Sequence, residues 1–246
     1  MGINVVITGA GGRMGKTLQT VITRHQDLHL AGLVEQKDNY EECLKDAVVP
    51  VCTDLKEMLD KIPGAVVLDF TAPTATLNFA EIVAQSDAKL VIGTTGLNDG
   101  QKSALSLLAQ KAPIFWSPNM SIGINVLLQL LPELTRSLGQ DYDVEVMEMH
   151  HKHKKDSPSG TAVRLGEALA KAKNWNYNDV ACCHREGLIG ERPEEQIGVQ
   201  TIRGGDVVGV HTVYFMGPGE RIEINHQAHS RENFANGAMR AVKWLY

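Results

Sequence analysis

The sequence predicts an α/β protein of two domains, one built on a parallel sheet and one of α+β type with a mainly antiparallel sheet. Strand and helix signals alternate from Ile3 to Ser117. A glycine-rich turn, Gly9 to Gly15, separates the first strand from the first helix. After Asn119 the alternation gives way to a long apolar helix and, further on, to strands joined by glycine-containing turns. Those are the patterns of a parallel sheet followed by a separate, differently wound layer.

The apolar run Ile3–Thr8 reads as a buried strand. Met14, Leu18, Val21 and Ile22 then recur at helical spacing and predict a helix over Arg13–His25. Leu28–Glu35 is the second strand and Val48–Cys52 a short third. Strands Ala65–Thr71, Lys89–Thr95 and Pro113–Ser117 follow, with helices Asp54–Ile62, Thr74–Ser86 and Asp99–Lys111 among them. Parallel neighbours need a crossover, normally a helix, so the sheet is expected to be covered on both faces.

Beyond Asn119, Ile122–Leu138 reads as an apolar helix and Asp143–Met149 as a strand. A further helix opens near Gly160, with Leu165, Ala168, Leu169 and Ala172 marking one face. Cys183–Gly198 carries no regular pattern. Strands Val199–Arg203, Val207–Met216 and Arg221–Ala228 come next. The turns Gly204-Gly205-Asp206 and Gly217-Pro218-Gly219 predict that these three pair as antiparallel hairpins. An amphipathic helix, Glu232–Leu245, closes the chain. The expected domains are 1–121, completed by 229–246, and 122–228.

Composition narrows the function classes. With 246 residues and 43% hydrophobic content the chain can bury a substantial core. A net charge of −5 makes the basic cluster at 150–155 a local feature and argues against a general nucleic-acid binder. No apolar run reaches membrane-spanning length, and no basic leader with a cleavage site separates Met1 from the first strand. Cys43, Cys52, Cys182 and Cys183 lack metal-ligand spacing, so a reduced, cytoplasmic location is expected.

Gly9-Ala10-Gly11-Gly12-Arg13-Met14-Gly15 carries the first chemical signal. Gly9 permits the tight turn, Gly12 lets the backbone approach a pyrophosphate, and Gly15 lets the helix pack close to the sheet. The helix start adds N–H donors and positive potential. Glu35 ends the second strand, where an acid binds the adenosine ribose hydroxyls. The spacing departs slightly from the common fingerprint, but strand, turn, helix and acid together describe a Rossmann-like dinucleotide-binding domain. Gly93-Thr94-Thr95-Gly96, Asp69-Phe70-Thr71 and Ser117-Pro118-Asn119-Met120 end other strands of the same sheet. Singly each is an ordinary turn; on one sheet edge they suit the nicotinamide half of such a ligand.

The second signal is Glu148-Met149-His150-His151-Lys152-His153-Lys154-Lys155, running into Ser159-Gly160-Thr161. Three readings compete. A metal site has candidate ligands in His150, His151 and His153, but the adjacent lysines repel a cation and no local carboxylate or cysteine completes the set. A solvated basic loop is the bland reading. Acid catalysis beside an anion site fits best, because histidine titrates near neutrality and a helix start offers N–H groups to a carboxylate. No metal is expected.

These motifs occur in order with Arg185-Glu186-Gly187, Gly190-Glu191-Arg192 and Phe234-Ala235-Asn236-Gly237-Ala238. Over essentially its full length the chain resembles the bacterial 4-hydroxy-tetrahydrodipicolinate reductase (dihydrodipicolinate reductase) family of the diaminopimelate route to lysine. The resemblance implies an oxidoreductase, homotetrameric and cytoplasmic, that uses NADH or NADPH to reduce a cyclic imine dicarboxylate. It also implies residue roles. Gly9, Ala10, Gly11, Gly12, Arg13 and Met14 contact the pyrophosphate, and Glu35 the ribose. Gly93, Thr94, Thr95, Ser117, Pro118, Asn119 and Met120 surround the nicotinamide. His150 is the acid/base residue and Lys154 the proton donor, while His151, Gly160 and Thr161 bind substrate carboxylate. One departure stands out: several family members follow the ribose acid with an arginine for the 2′-phosphate of NADPH, whereas this chain has Gln36 and then Lys37.

Two other readings stay in view. A semialdehyde or homoserine dehydrogenase shares the Rossmann half, but the former needs a reactive cysteine thiolate and no cysteine here sits in a recognisable motif. A non-catalytic, redox-sensing NAD(H) regulator needs a DNA-reading or partner element, and no helix-turn-helix with a basic recognition helix is apparent.

Overall fold

The computed structural model describes residues 2–45 and 47–246; Met1 and Asp46 lie outside the described residues. Two compact units are present, one reaching Ser121 and resuming at Arg231–Tyr246, the other Ile122–Ser230.

The first unit alternates β1 (Ile3–Thr8), α1 (Arg13–Ile22), β2 (Leu28–Val34), α2 (Lys37–Lys45), β3 (Val51–Cys52), α3 (Leu55–Lys61) and β4 (Val66–Asp69). It continues through α4 (Pro73–Val83), β5 (Lys89–Ile92), α5 (Asp99–Leu108) and β6 (Ile114–Trp116). The strands form one parallel sheet in the order β3-β2-β1-β4-β5-β6. Chain order reverses beside β1, and at such a switch point the connections diverge and leave a crevice beyond the carboxyl ends of the strands. The central strands are buried on both faces, which is why they read as unbroken apolar runs.

In the second unit, α6 (Ile122–Leu138) leads to β7 (Asp143–His150), α7 (Gly160–Ala172), α8 (Tyr177–Val180) and β8 (Ala181–Cys182). Then come β9 (Ile197–Arg203), β10 (Gly209–Gly217) and β11 (Glu220–Ala228). The chain returns to the first unit as α9 (Glu232–Leu245), which buries Ala235, Ala238, Met239 and Val242 in the same core as Leu18 and Val21 of α1. The ion pairs Arg24–Glu232 and Lys243–Asp27 flank that core.

The second sheet runs β11-β10-β7-β9-β8. Its β10–β11 and β10–β7 pairs are antiparallel, as a mainly antiparallel sheet requires. The expected hairpin at Gly204–Asp206 does not form. β9 pairs in parallel with β7, which lies between β9 and β10. The turn instead crosses the end of β7, where His151 N–H donates to the Val207 carbonyl and Lys152 N–H to that of Gly205. β7 claims the central place because Val144 and Val146 are buried in a core shared with Leu165 and Leu169 of α7. The stretch expected to be irregular, Cys183–Gly198, holds only the start of β9, while α8 and β8 just before it were not foreseen.

Candidate active site

In the first unit the glycine-rich turn leaves β1 with Gly9 at φ +62, a conformation open to glycine, and a Cβ there would lie 2.6 Å from Thr71. Gly15 packs so close to the Gly9 and Ala10 carbonyls that any side chain would strike them. Gly12 caps α1 without a side-chain bond, and the first turn of a helix carries N–H groups with no partner inside the helix, which suits an anion. Glu35 lies just past β2 and is buried at 5% exposure. Its carboxylate accepts the Gly11 N–H at 2.7 Å and the Gln36 N–H at 2.8 Å, which fixes it against the glycine turn with lone pairs to spare. Gln36 and Lys37 are exposed. This glycine-built cradle with an acid at its edge fits a dinucleotide.

The expected nicotinamide turns lie on the same sheet edge, after β5 and β6, and one buried carboxylate joins the first of them to neighbouring strand ends. Asp69, at the end of β4, accepts hydrogen bonds from the hydroxyls of Thr8 (3.0 Å), Thr71 (2.6 Å), Thr94 (3.2 Å) and Thr76. The ends of β1, β4 and β5 and the start of α4 therefore converge on a single carboxylate. The Trp116 indole N–H donates to the Thr94 carbonyl at 3.1 Å, and the Ser117 hydroxyl to the Asn119 carbonyl at 2.7 Å. Thus Gly9 to Met14, Glu35, Gly93 to Thr95 and Ser117 to Met120 all gather at one edge of one sheet.

In the second unit β7 carries His150 at its end. His150 Nδ1 lies 2.6 Å from Oε2 of Glu148, two residues back on the same strand face. Glu148 is fully buried, and Arg203 reaches it with both terminal nitrogens, at 2.7 and 2.6 Å. The Ser159 N–H and the Thr201 hydroxyl donate to Oε1 at 2.9 and 3.2 Å. Burial alone would raise the Glu148 pKa, but His150, Arg203 and the Ser159 N–H together hold it well below the ordinary 4.5. Ser159 also caps α7 through the Ala162 N–H, so Gly160 and Thr161 form the first turn of that helix. Lys154, partly buried, pairs with Asp156 at 2.9 Å. His151, Lys154, Gly160 and Thr161 thus belong to the loop and helix start that follow His150, whereas His153 is exposed.

His211 completes the cluster. Its ring stands edge-on to His150 with centroids 5.1 Å apart, and Nε2 lies 3.1 Å from the Ser159 hydroxyl. Burial, reinforced by His150, pushes its pKa down from 6.5 to about 3. The unfolded chain therefore takes up a proton near pH 6.5 that the folded chain refuses until about pH 3. This contribution to stability is complete above pH 6.5 and lost as pH falls. Glu148 acts in the same sense below its ordinary 4.5. Denaturant titrations of the whole protein between pH 6 and pH 5 should show stability falling by about 1.4 kcal/mol per pH unit from His211. His211→Gln should remove that slope, and a variant as steep as the parent would contradict the assignment.

Sequence reasoning gave Glu148 and Asp69 only as members of their motifs, with no role, and missed Arg203 and His211. A signal was present for the first. Glu148 sits at the same parity as Val144 and Val146 in an alternating strand, where an apolar residue is expected.

Comparison with known proteins agrees with this arrangement. The family model described as dihydrodipicolinate reductase, N-terminus, matches residues 3–120, and that for the C-terminus matches residues 123–246. A 4-hydroxy-tetrahydrodipicolinate reductase of Desulfovibrio desulfuricans is 58% identical over all of this chain and 94% of its own length. One from Nitratidesulfovibrio vulgaris is 54% identical with the same coverage. The structure of dipicolinate-bound dihydrodipicolinate reductase from Paenisporosarcina sp. TG-14 superposes with a TM-score of 0.77 at 25% identity, over 100% of this chain and 95% of that one. A glycine cradle with a buried acid at its edge, a buried Glu–His pair beside a helix start and these matches over both halves lead to one assignment: the chain belongs to the dihydrodipicolinate reductase family.

Proposed function

We infer that this protein reduces 4-hydroxy-tetrahydrodipicolinate to tetrahydrodipicolinate with NAD(P)H, in the diaminopimelate route to lysine. The observation that carries the chemistry is His150, held by Glu148 at 2.6 Å and followed directly by the Lys154 loop and the start of α7. The nicotinamide cofactor, when bound, supplies the hydride. Gly9 to Met14 are proposed to cradle its pyrophosphate, Glu35 its adenosine ribose, and Gly93 to Thr95 with Ser117 to Met120 its nicotinamide end. Loss of the 4-hydroxyl as water gives the conjugated imine that takes the hydride, and the electron density this leaves on the ring-nitrogen side must be neutralised by a proton. We assign His150 as the acid/base residue and Lys154 as the donor of that proton. His151 and the Gly160 and Thr161 N–H groups are assigned to the substrate carboxylates. Oxidation of NADH on addition of freshly synthesised 4-hydroxy-tetrahydrodipicolinate tests the reading, and absence of turnover would refute it. The semialdehyde dehydrogenase reading loses support because burial pushes the Cys43 and Cys183 thiols up, the wrong direction for a nucleophile.

Cofactor choice turns on charge. Glu35 can accept both ribose hydroxyls of NADH but repels a 2′-phosphate, and Gln36 offers no compensating charge. NADH is therefore expected to be used at least as well as NADPH. Lys37, exposed in the first turn of α2, is the group that can reach such a phosphate. A clear NADPH advantage in kcat/KM that disappears in Lys37→Ala would reverse this expectation.

A homotetramer is proposed as the working assembly. Among the described residues β11 lies at the edge of its sheet, and Ile222 and Ile224 are only half-buried on it. Such edges are commonly removed by symmetric pairing. Light scattering at micromolar concentration should give four times the chain mass, and a monomer mass would contradict it.

A further inference from the structure

We propose that Glu148 is a positioning residue that sets the acid/base histidine and the carboxylate-binding helix start at once. The proposal rests on the assignment of His150 and of the α7 N-terminus made above. Glu148 uses its two oxygens for two different jobs. Oε2 meets His150 Nδ1 at 2.6 Å, which places the ring proton on Nδ1 and leaves Nε2 for exchange with substrate. Oε1 accepts the Ser159 N–H at 2.9 Å, which fixes the residue capping α7 and with it the direction of the first-turn N–H groups. Both oxygens are clamped by Arg203, so neither can rotate away without breaking a bidentate pair.

The surroundings agree with a tautomer role. A Cβ on residue 209 would lie 3.0 Å from His150 Nε2, so glycine at that place keeps the exchanging nitrogen uncrowded. The groups facing the pair are Arg203 and Thr201 from β9, His211 from β10 and Ser159 from α7. A carboxylate wanted only to cement β7 to β9 would need Arg203 alone. This one also spends an oxygen on each functional element.

The test has a part that needs no variant. Long-range ¹H–¹⁵N NMR of the whole protein, with His150 identified from His150→Gln, should show the neutral ring protonated on Nδ1. An Nε2-protonated ring would overturn the proposal. In Glu148→Gln, the Nδ1 preference should weaken and kcat should fall by about tenfold or more, because the wrong tautomer presents the wrong nitrogen. The dissociation constant for dipicolinate, used as a dicarboxylate probe, should rise several-fold while NADH affinity stays the same. Glu148→Asp should recover part of kcat. A folded Glu148→Gln protein with kcat and dipicolinate affinity within twofold of the parent would show that the carboxylate only stabilises the fold. If the parent itself fails to turn over, the function assigned above fails, while the tautomer and dipicolinate measurements still judge Glu148.

Discussion

His150→Gln and Lys154→Ala should each lower kcat by roughly 10²–10⁴-fold while NADH still binds, the usual cost of removing a general acid or base. The two should nevertheless differ in cause. His150 is fixed by a buried carboxylate, so its loss removes a group already in place for proton exchange. Lys154 is paired with the exposed Asp156 at 2.9 Å and must exchange that partner for the substrate before it can donate. His151→Ala serves as the contrast. As a proposed carboxylate ligand its loss should mainly raise KM, since a contact equal in ground and transition states leaves kcat unchanged. Steady-state kinetics of the three variants separates these roles. Near-normal kcat with a raised KM in Lys154→Ala would make the lysine a carboxylate anchor and place the donor elsewhere.

Gly237→Ala should destabilise the first unit and weaken NADH binding together. Gly237 lies inside α9, where alanine would ordinarily gain about 1 kcal/mol over glycine in helix propensity. Here a Cβ would collide with the backbone carbonyl of Met120, which cannot swing aside as a side-chain tip can. Overpacking of this kind costs typically about 1–3 kcal/mol and sometimes more, so a net loss is expected. The strain falls on Met120, the last residue of the turn assigned to the nicotinamide, so the Kd for NADH should rise as Tm falls. An unchanged or raised Tm would mean that α9 can shift without disturbing that turn. The family resemblance drew attention to Phe234–Ala238, but only the packing gives the glycine a reason.

The alternation of apolar runs and helical spacing specified the parallel sheet, because each strand buried on both faces must be apolar throughout and each crossover needs a helix. The turns proposed for the cofactor were legible for the same reason. Turn chemistry is local, so Gly9, Gly12, Gly15 and Gly93 announce tight backbone, and a known strand order of this type sends every strand end to one side. His150, Lys154 and the Ser-Gly-Thr start of α7 were legible because they lie within a dozen residues of one another. Local features survive in a linear text.

Pairings decided by distant segments did not. Two glycine turns look alike in sequence, yet one joins β10 to β11 and the other crosses the end of β7. The choice depends on which strand best fills the centre of the sheet against α7, a property of the packed layer. Glu148 carries the same lesson. Its partners Arg203 and Thr201 lie more than fifty residues away, and its parity on β7 marks it as buried without saying what neutralises it. Asp69 likewise collects hydroxyls from β1, β4, β5 and α4 only once the sheet has brought those ends together. By itself the sequence determined the fold class and singled out the residues proposed to meet the ligands. The tertiary structure decided which buried charges hold them in place, because a charge can leave water only where donors from several distant segments converge to replace it.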